Sequence, residues 1–192
     1  MDRSLLRKEV LPLLVLFVGL MAATAVIDAL LHAAGLAWIG RYVGIPGTLL
    51  ILGSLGYSLR KRKHIHRGQP RAWLRAHEVM AWTGSLLVLV HAGIHFNALL
   101  PWLALAAMVV NVLSGLIGKF LLGRSGRHLA SKRAHLSQQG LAASEVESRV
   151  FWDETALEMM RQWRTVHFPI ALAFGVLALG HIVSIFLFWG WH

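Results

Sequence analysis

Cysteine is absent from the 192-residue chain, which removes disulfides, thiolate-ligated iron–sulfur clusters and the Cys-x-x-Cys-His motif that attaches haem covalently. Charge is scarce as well. Asp, Glu, Lys and Arg make up 15% of the residues against 56% hydrophobic, which is far from the balance of a water-soluble globular domain. Acid is scarcest of all, with nine Asp and Glu facing 19 Lys and Arg for a formal net charge of +10. In a soluble protein that excess would point to nucleic acid. Here the basic residues occupy short segments between apolar runs, so they act as topology signals, the lipid bilayer is the expected partner, and nucleic acid is not. There is no low-complexity tract, and histidine is the one strong metal ligand left in the apolar regions.

What the chain has instead is apolar length. Its mean hydropathy is +0.59, and five segments, 10–31, 42–59, 76–96, 100–122 and 166–189, each approach the 17 to 25 residues that a helix needs to cross hydrocarbon. The expected class is an all-α integral membrane protein of five transmembrane helices, forming one membrane domain over residues 1–192. The first span follows Arg3, Arg7 and Lys8 but is too long for a signal peptide and reads as a retained helix. The second is the weakest, because Gly44, Pro46, Gly47, Gly53 and Gly56 lower helix stability, although small residues are tolerated where membrane helices pack closely.

Orientation follows from the basic loops. A cytoplasmic N-terminus gathers Arg3, Arg7, Lys8, the cluster from Arg60 to Arg75 and the basic residues from Lys119 to Arg164 on one side, leaving Arg41 on the other. Five crossings then put the C-terminus, with Trp189 and Trp191, at the periplasmic face of a bacterial inner membrane, and the third and fifth helices both run outward. The segment 124–164 is the sizeable non-membrane piece. Its second half, with Phe151, Thr155, Met159 and Trp163 in helical register, suits an amphipathic helix lying on the inner surface, and a plain solvated connector fits equally well.

The histidines carry the chemistry. His77 and His91 lie on the third span and His167 and His181 on the fifth, each pair separated by 14 residues, about four turns at the effective period of packed membrane helices, so each pair shares a face. The rise along each helix is about 21 Å. With both helices running outward, His77 meets His167 near the inner face and His91 meets His181 near the outer face. Two such level pairs suit two non-covalent haem b groups, each with both axial positions filled by imidazole and so fitted to electron transfer, inside a four-helix bundle of helices two to five. Interhelical hydrogen bonding or a proton relay is the competing reading, and it does not require equal spacing on two helices.

Other residues take supporting expectations. Arg71, Arg75, Arg161 and Arg164 precede the inner-face histidines and are candidates to pair with haem propionates, or they are inside-face anchors. Gly84, Gly175 and Gly180 would give a flat macrocycle room. Asp28, Glu78 and His95 are candidates for a quinone or proton site.

The segments Leu74-Arg-Ala-His-Glu with Gly84, His91-Ala-Gly-Ile-His, and Trp163-Arg-Thr-Val-His with His181 resemble the di-haem membrane cytochrome b family, including ferric-reductase-like bundles and small bacterial cytochrome b subunits. The resemblance covers helices two to five and implies haem ligation by His77, His91, His167 and His181. By analogy of role it implies the membrane subunit of a respiratory oxidoreductase, exchanging electrons with the quinone pool and with an iron–sulfur or cytochrome c partner. The Pro-Glu-Trp-Tyr-like element of full quinol-oxidising cytochromes b is not found. A haem-free transporter or proton-relay protein, with Asp28, Asn111 and the histidines on its pathway, is the alternative class, and a purely structural anchor is a third.

Overall fold

The computed structural model describes residues 11–93 and 99–188. Among these the chain is helical with no strand: α1 Leu11–Ala33, α2 Ala37–Tyr42, α3 Gly44–Ser54, α4 Gly56–Lys61, α5 Pro70–Ala92, α6 Leu99–Ile117, a π-turn at Gly118–Leu122, α7 Gly123–Gln138 and α8 Ala143–Phe188. Four stretches are long and apolar enough to cross a membrane, namely Leu11–Ala33, Ala37–Lys61, Leu99–Phe120 and Thr165–Phe188. The other expected span, 76–96, coincides with α5. It has 23 residues, about 35 Å of helix, so length is not what it lacks; Arg71, Arg75, His77, Glu78 and His91 dilute its apolar character.

The boundaries have local causes. Gly35 with a φ of 69° follows α1, and the amides of Gly35 and Leu36 return to the carbonyls of His32 and Leu31, the paired bonds with which a glycine in the left-handed region closes a helix. Pro70 opens α5 at a position where its missing N–H costs nothing. The expected single helix over 42–59 starts earlier and forms in three pieces, α2 to α4. Pro46 has no amide to offer residue 42 and its ring crowds that turn, so the helix breaks at Val43. A second break falls at Leu55 between Gly53 and Gly56, where the Leu55 amide turns back to Leu52.

Two helix pairs dominate the packing, α3 on α5 and α6 on α8, with α1 laid against α5. Their common core is Leu20, Leu89, Ala104, Met108 and Phe174, drawn from α1, α5, α6 and α8. The expected bundle of helices two to five is thus joined by α1, whose Leu20 is fully buried. Val18, Leu49, Leu172, Val176 and Phe186 stand exposed around the outside, a surface suited to lipid tails and costly in water. Gly47 and Gly84 mark the α3–α5 crossing, since a Cβ on Gly84 would lie 2.8 Å from the Gly47 carbonyl oxygen and a Cβ on Gly47 3.1 Å from that of Gly84. Gly84 therefore serves helix contact rather than room for a macrocycle.

The segment 124–164 folds as a helical hairpin. The π-turn carries α6 on into α7, and the first half of α8 returns antiparallel to it as a hairpin continuous with the apolar half of the same 46-residue helix. Leu129 and Leu136 of α7 meet Val146, Val150 and Leu157 of α8 in a small core of their own, with Leu141 against it. Lys132 pairs with Asp153, and Arg133 with Glu147 and Glu154, across the seam. The stripe that packs on α7 is a different one from Phe151, Thr155 and Met159. Phe151 and Met159 face outward, 56% and 66% exposed, while Val150 is fully buried. Val150→Ser should accordingly cost about 1–3 kcal/mol by placing a hydroxyl in that core, whereas Phe151→Ser should stay within about 0.5 kcal/mol. Limited proteolysis within 123–164 reads the difference, and equal sensitivity in the two variants would contradict this packing.

Candidate cofactor site

Three of the four histidines singled out by spacing are held through Nδ1 by a partner on a neighbouring helix. His77 Nδ1 lies 2.9 Å from the carbonyl oxygen of Ser54 and His91 Nδ1 lies 3.2 Å from that of Gly40. A carbonyl only accepts, so each Nδ1 carries the proton and donates it. Each Nε2 is left with a free lone pair, the tautomer in which histidine ligates metals through Nε2. His167 Nδ1 lies 3.2 Å from the Ser114 hydroxyl, and the Asn111 carbonyl is within hydrogen-bonding reach of the same ring. Among the described residues the His181 ring contacts that of His91 but has no hydrogen-bond partner, while its carbonyl accepts from the Ser184 hydroxyl.

The carbonyls come from the breaks in α2–α4. In an unbroken helix the Gly40 and Ser54 oxygens would accept from the amides four residues on. Across the Val43 and Leu55 interruptions no such backbone bond forms, and the two oxygens turn to α5 instead. They are 14 residues apart, as His77 and His91 are. Because α3 and α5 run in opposite directions, one broken helix orients both rings. Gly44 adds the space: a Cβ there would stand 2.6 Å from Cγ of His91, closer than real carbons approach.

Across the bundle, the rings of His91 and His181 have centroids 6.4 Å apart with planes inclined at 54°. His77 and His167 are electrostatic neighbours in the same way as His91 and His181. Low number meets low number in both pairs, so α5 and α8 run in the same direction. These two helices are not a close-packed pair; each rests on its own partner, α3 or α6, and the histidines reach between them. An ion held by both rings of the His91–His181 pair, with a metal–nitrogen bond of about 2 Å on either side and about 1 Å from nitrogen to ring centre, would separate the centroids by about 6 Å. Among the described residues no group of three or more His, Asp and Glu gathers to hold a bare ion. What the chain offers is the His91–His181 pair of rings, with His77 and His167 as neighbours.

The supporting candidates are distributed unevenly around this arrangement. Glu78, beside His77, is committed to an ion pair with Lys119 at 2.7 Å that ties α5 to the end of α6. Asp28 is buried on α1, with His32 Nδ1 3.5 Å from its carboxylate and 2.8 Å from its backbone carbonyl. It belongs to the end of the bundle where Leu31 approaches Gly40, and so to the side of His91. Arg71 and Arg75 are exposed on the first turns of α5, and Arg161 is exposed and pairs with Glu158 of its own helix. His95 and the side chain of Arg164 lie outside the described residues. A cation that sequence reasoning passed over, Arg62, sits 4.4 Å above the ring of Phe168, next to His167. Tyr57, also missed, stacks at 5.6 Å on His77.

Comparison of the chain with models of protein families, with curated protein sequences and with solved structures gives no match.

Proposed function

We propose that this chain is a di-haem b-type membrane cytochrome, with His77 and His167 ligating one haem near the inner face and His91 and His181 the other near the outer face. The observation that carries the reading is the His91–His181 pair, two rings 6.4 Å apart with the His91 Nδ1 proton donated to a carbonyl and Nε2 free to bind. Two protein donors are too few for a bare ion, which takes four to six ligands, and suit an ion whose other four nitrogens come with a macrocycle. Haem, when bound, supplies a one-electron couple at each site. The chain would do the rest: His77, His167, His91 and His181 would hold the two groups, the broken helix fixes the tautomers of His77 and His91, and apolar helices exclude water.

Within this reading α5 also crosses the membrane, as the third of five spans. Its histidines are occupied as ligands and Glu78 is neutralised by Lys119, which removes much of the cost of placing them at membrane depth. The N-terminus is cytoplasmic and the C-terminus periplasmic by the distribution of Lys and Arg. The protein then serves as the membrane subunit of a respiratory oxidoreductase in the bacterial inner membrane, with an iron–sulfur or cytochrome c protein as redox partner and quinone as the lipid-soluble one. With Glu78 engaged, Asp28 with His32 is the better placed group for proton exchange with a quinone on the outer side.

The experiment is quinol-driven reduction of the haems in proteoliposomes. Wild type should be reduced, Asp28→Asn should slow reduction about tenfold or more, and Glu78→Gln should have little effect. A wild type that quinols do not reduce would make the chain a relay between protein partners, and equal rates in all three would remove Asp28 from the quinone site.

A further inference from the structure

The hydrogen bonds that hold the histidines are not equivalent, and the inequality falls between the two sites. Each site has one ring on α5 tied to a backbone carbonyl, His77 to Ser54 and His91 to Gly40. On α8 the rings differ. His167 meets the Ser114 hydroxyl at 3.2 Å, beside the Asn111 carbonyl, whereas the ring of His181 has no hydrogen-bond partner among the described residues. Ser114 is 1% exposed, in the last turn of α6, where an alanine would avoid burying a hydroxyl, which is costly unless bonded. Gly115, the next residue, leaves open the side facing Cε1 of His167, where a Cβ would stand at 3.7 Å.

Resting on the two-haem reading, we propose that Ser114 is a positioning residue that sets the electron affinity of the inner site alone. With Nε2 of His167 engaged by iron, Nδ1 carries the proton and the serine oxygen accepts it. That bond pushes electron density onto the imidazole and makes it a stronger donor, as outer partners of metal-bound histidine do. A stronger donor favours the oxidised, more positive iron and lowers the potential of the site. The two sites thereby differ by a residue that touches no cofactor.

The test uses the purified full chain with its haems, titrated electrochemically while the absorption of each component is followed. The component lost in His167→Ala identifies the inner site. Ser114→Ala should retain both haems and raise the potential of that component by the equivalent of about a tenfold change in the ratio of oxidised to reduced affinity, about 59 mV for one electron. The outer component should stay where it was. The low-spin electron paramagnetic resonance signal of the inner site should move with the potential, and Ser114→Thr, which keeps the hydroxyl, should restore both. Unmoved potentials, equal shifts at both sites, or loss of the inner haem in Ser114→Ala with no recovery in Ser114→Thr would overturn the role of Ser114. A wild-type chain without haem would instead overturn the reading on which it rests.

Discussion

Alanine at His91 or at His181 is expected to remove the same half of the haem, and alanine at His77 or at His167 the other half. On the two-haem reading each group would be held by two histidines, and a variant with one of them left would hold it more weakly. The pairing rests on ring positions, 6.4 Å between the centroids of His91 and His181, and on the neighbouring of His77 and His167. The expected spectrum of each variant is half the α-band absorption of wild type, with identical remaining bands for the two members of a pair. Low-temperature difference spectra read the outcome. If His91→Ala and His77→Ala left the same component, the histidines would be shared along a helix rather than across the bundle, and the assignment would be wrong.

Gly44→Ala should come close to the effect of losing His91 itself, although Gly44 offers no ligating atom. Its Cβ would fall 2.6 to 2.9 Å from three atoms of the His91 ring, so the ring must turn or α3 must retreat. Either movement breaks the Nδ1 bond to Gly40, and outer partners of this kind are worth about 10- to 100-fold in metal affinity. Retention of the outer haem should fall by about that range under a competing apo-protein acceptor, with the inner haem unaffected. Gly84→Ala provides the contrast. Its Cβ meets the Gly47 carbonyl at 2.8 Å, which strains the α3–α5 crossing by about 1–3 kcal/mol and should lower thermal stability with both haems still present. Equal haem loss in the two glycine variants would mean that Gly44 acts through helix packing rather than through the ring.

Much of the architecture was legible because the bilayer imposes simple rules. Length and apolar composition locate α1, the 37–61 stretch, α6 and the apolar half of α8, since each must satisfy its backbone within a helix to enter lipid. The spacing of 14 put His77 and His91 on one face because the helix repeat leaves no choice. What could not be read depends on contacts between segments. The glycines and the proline of 42–59 looked like weakness, yet Pro46 and the Gly53–Gly56 pair break the helix where the Gly40 and Ser54 carbonyls meet the histidine rings. A clue was available in the matching 14-residue interval between those two positions, but backbone atoms carry no residue signature.

Ser114 was invisible for a similar reason, since one serine in an apolar helix reads as tolerated polarity until the ring opposite it is known. The hairpin was illegible for a different reason. Phe151, Thr155 and Met159 form as regular an apolar stripe as Val146, Val150 and Leu157, and periodicity cannot choose between two faces when both carry apolar residues. The antiparallel return of α7 decided it, burying the β-branched and leucine side and leaving Trp152 78% exposed. Proximity in sequence to His77 and His167 does not fix the direction of the propionate candidates; Arg71 and Arg75 are exposed, while Arg62, from a different helix end, reaches Phe168.

The central claim is two haems held by two histidine pairs, and the most direct measurement of it is haem per chain. Acid–acetone extraction should strip the chromophore completely, because the chain has no cysteine to bind it covalently. Pyridine haemochrome analysis of the extract against protein concentration should then give b-type haem at about two per chain, falling to about one in His91→Ala, in His181→Ala and in Gly44→Ala. A ratio near one in wild type, or no haem at all in protein folded in the membrane, would contradict the account.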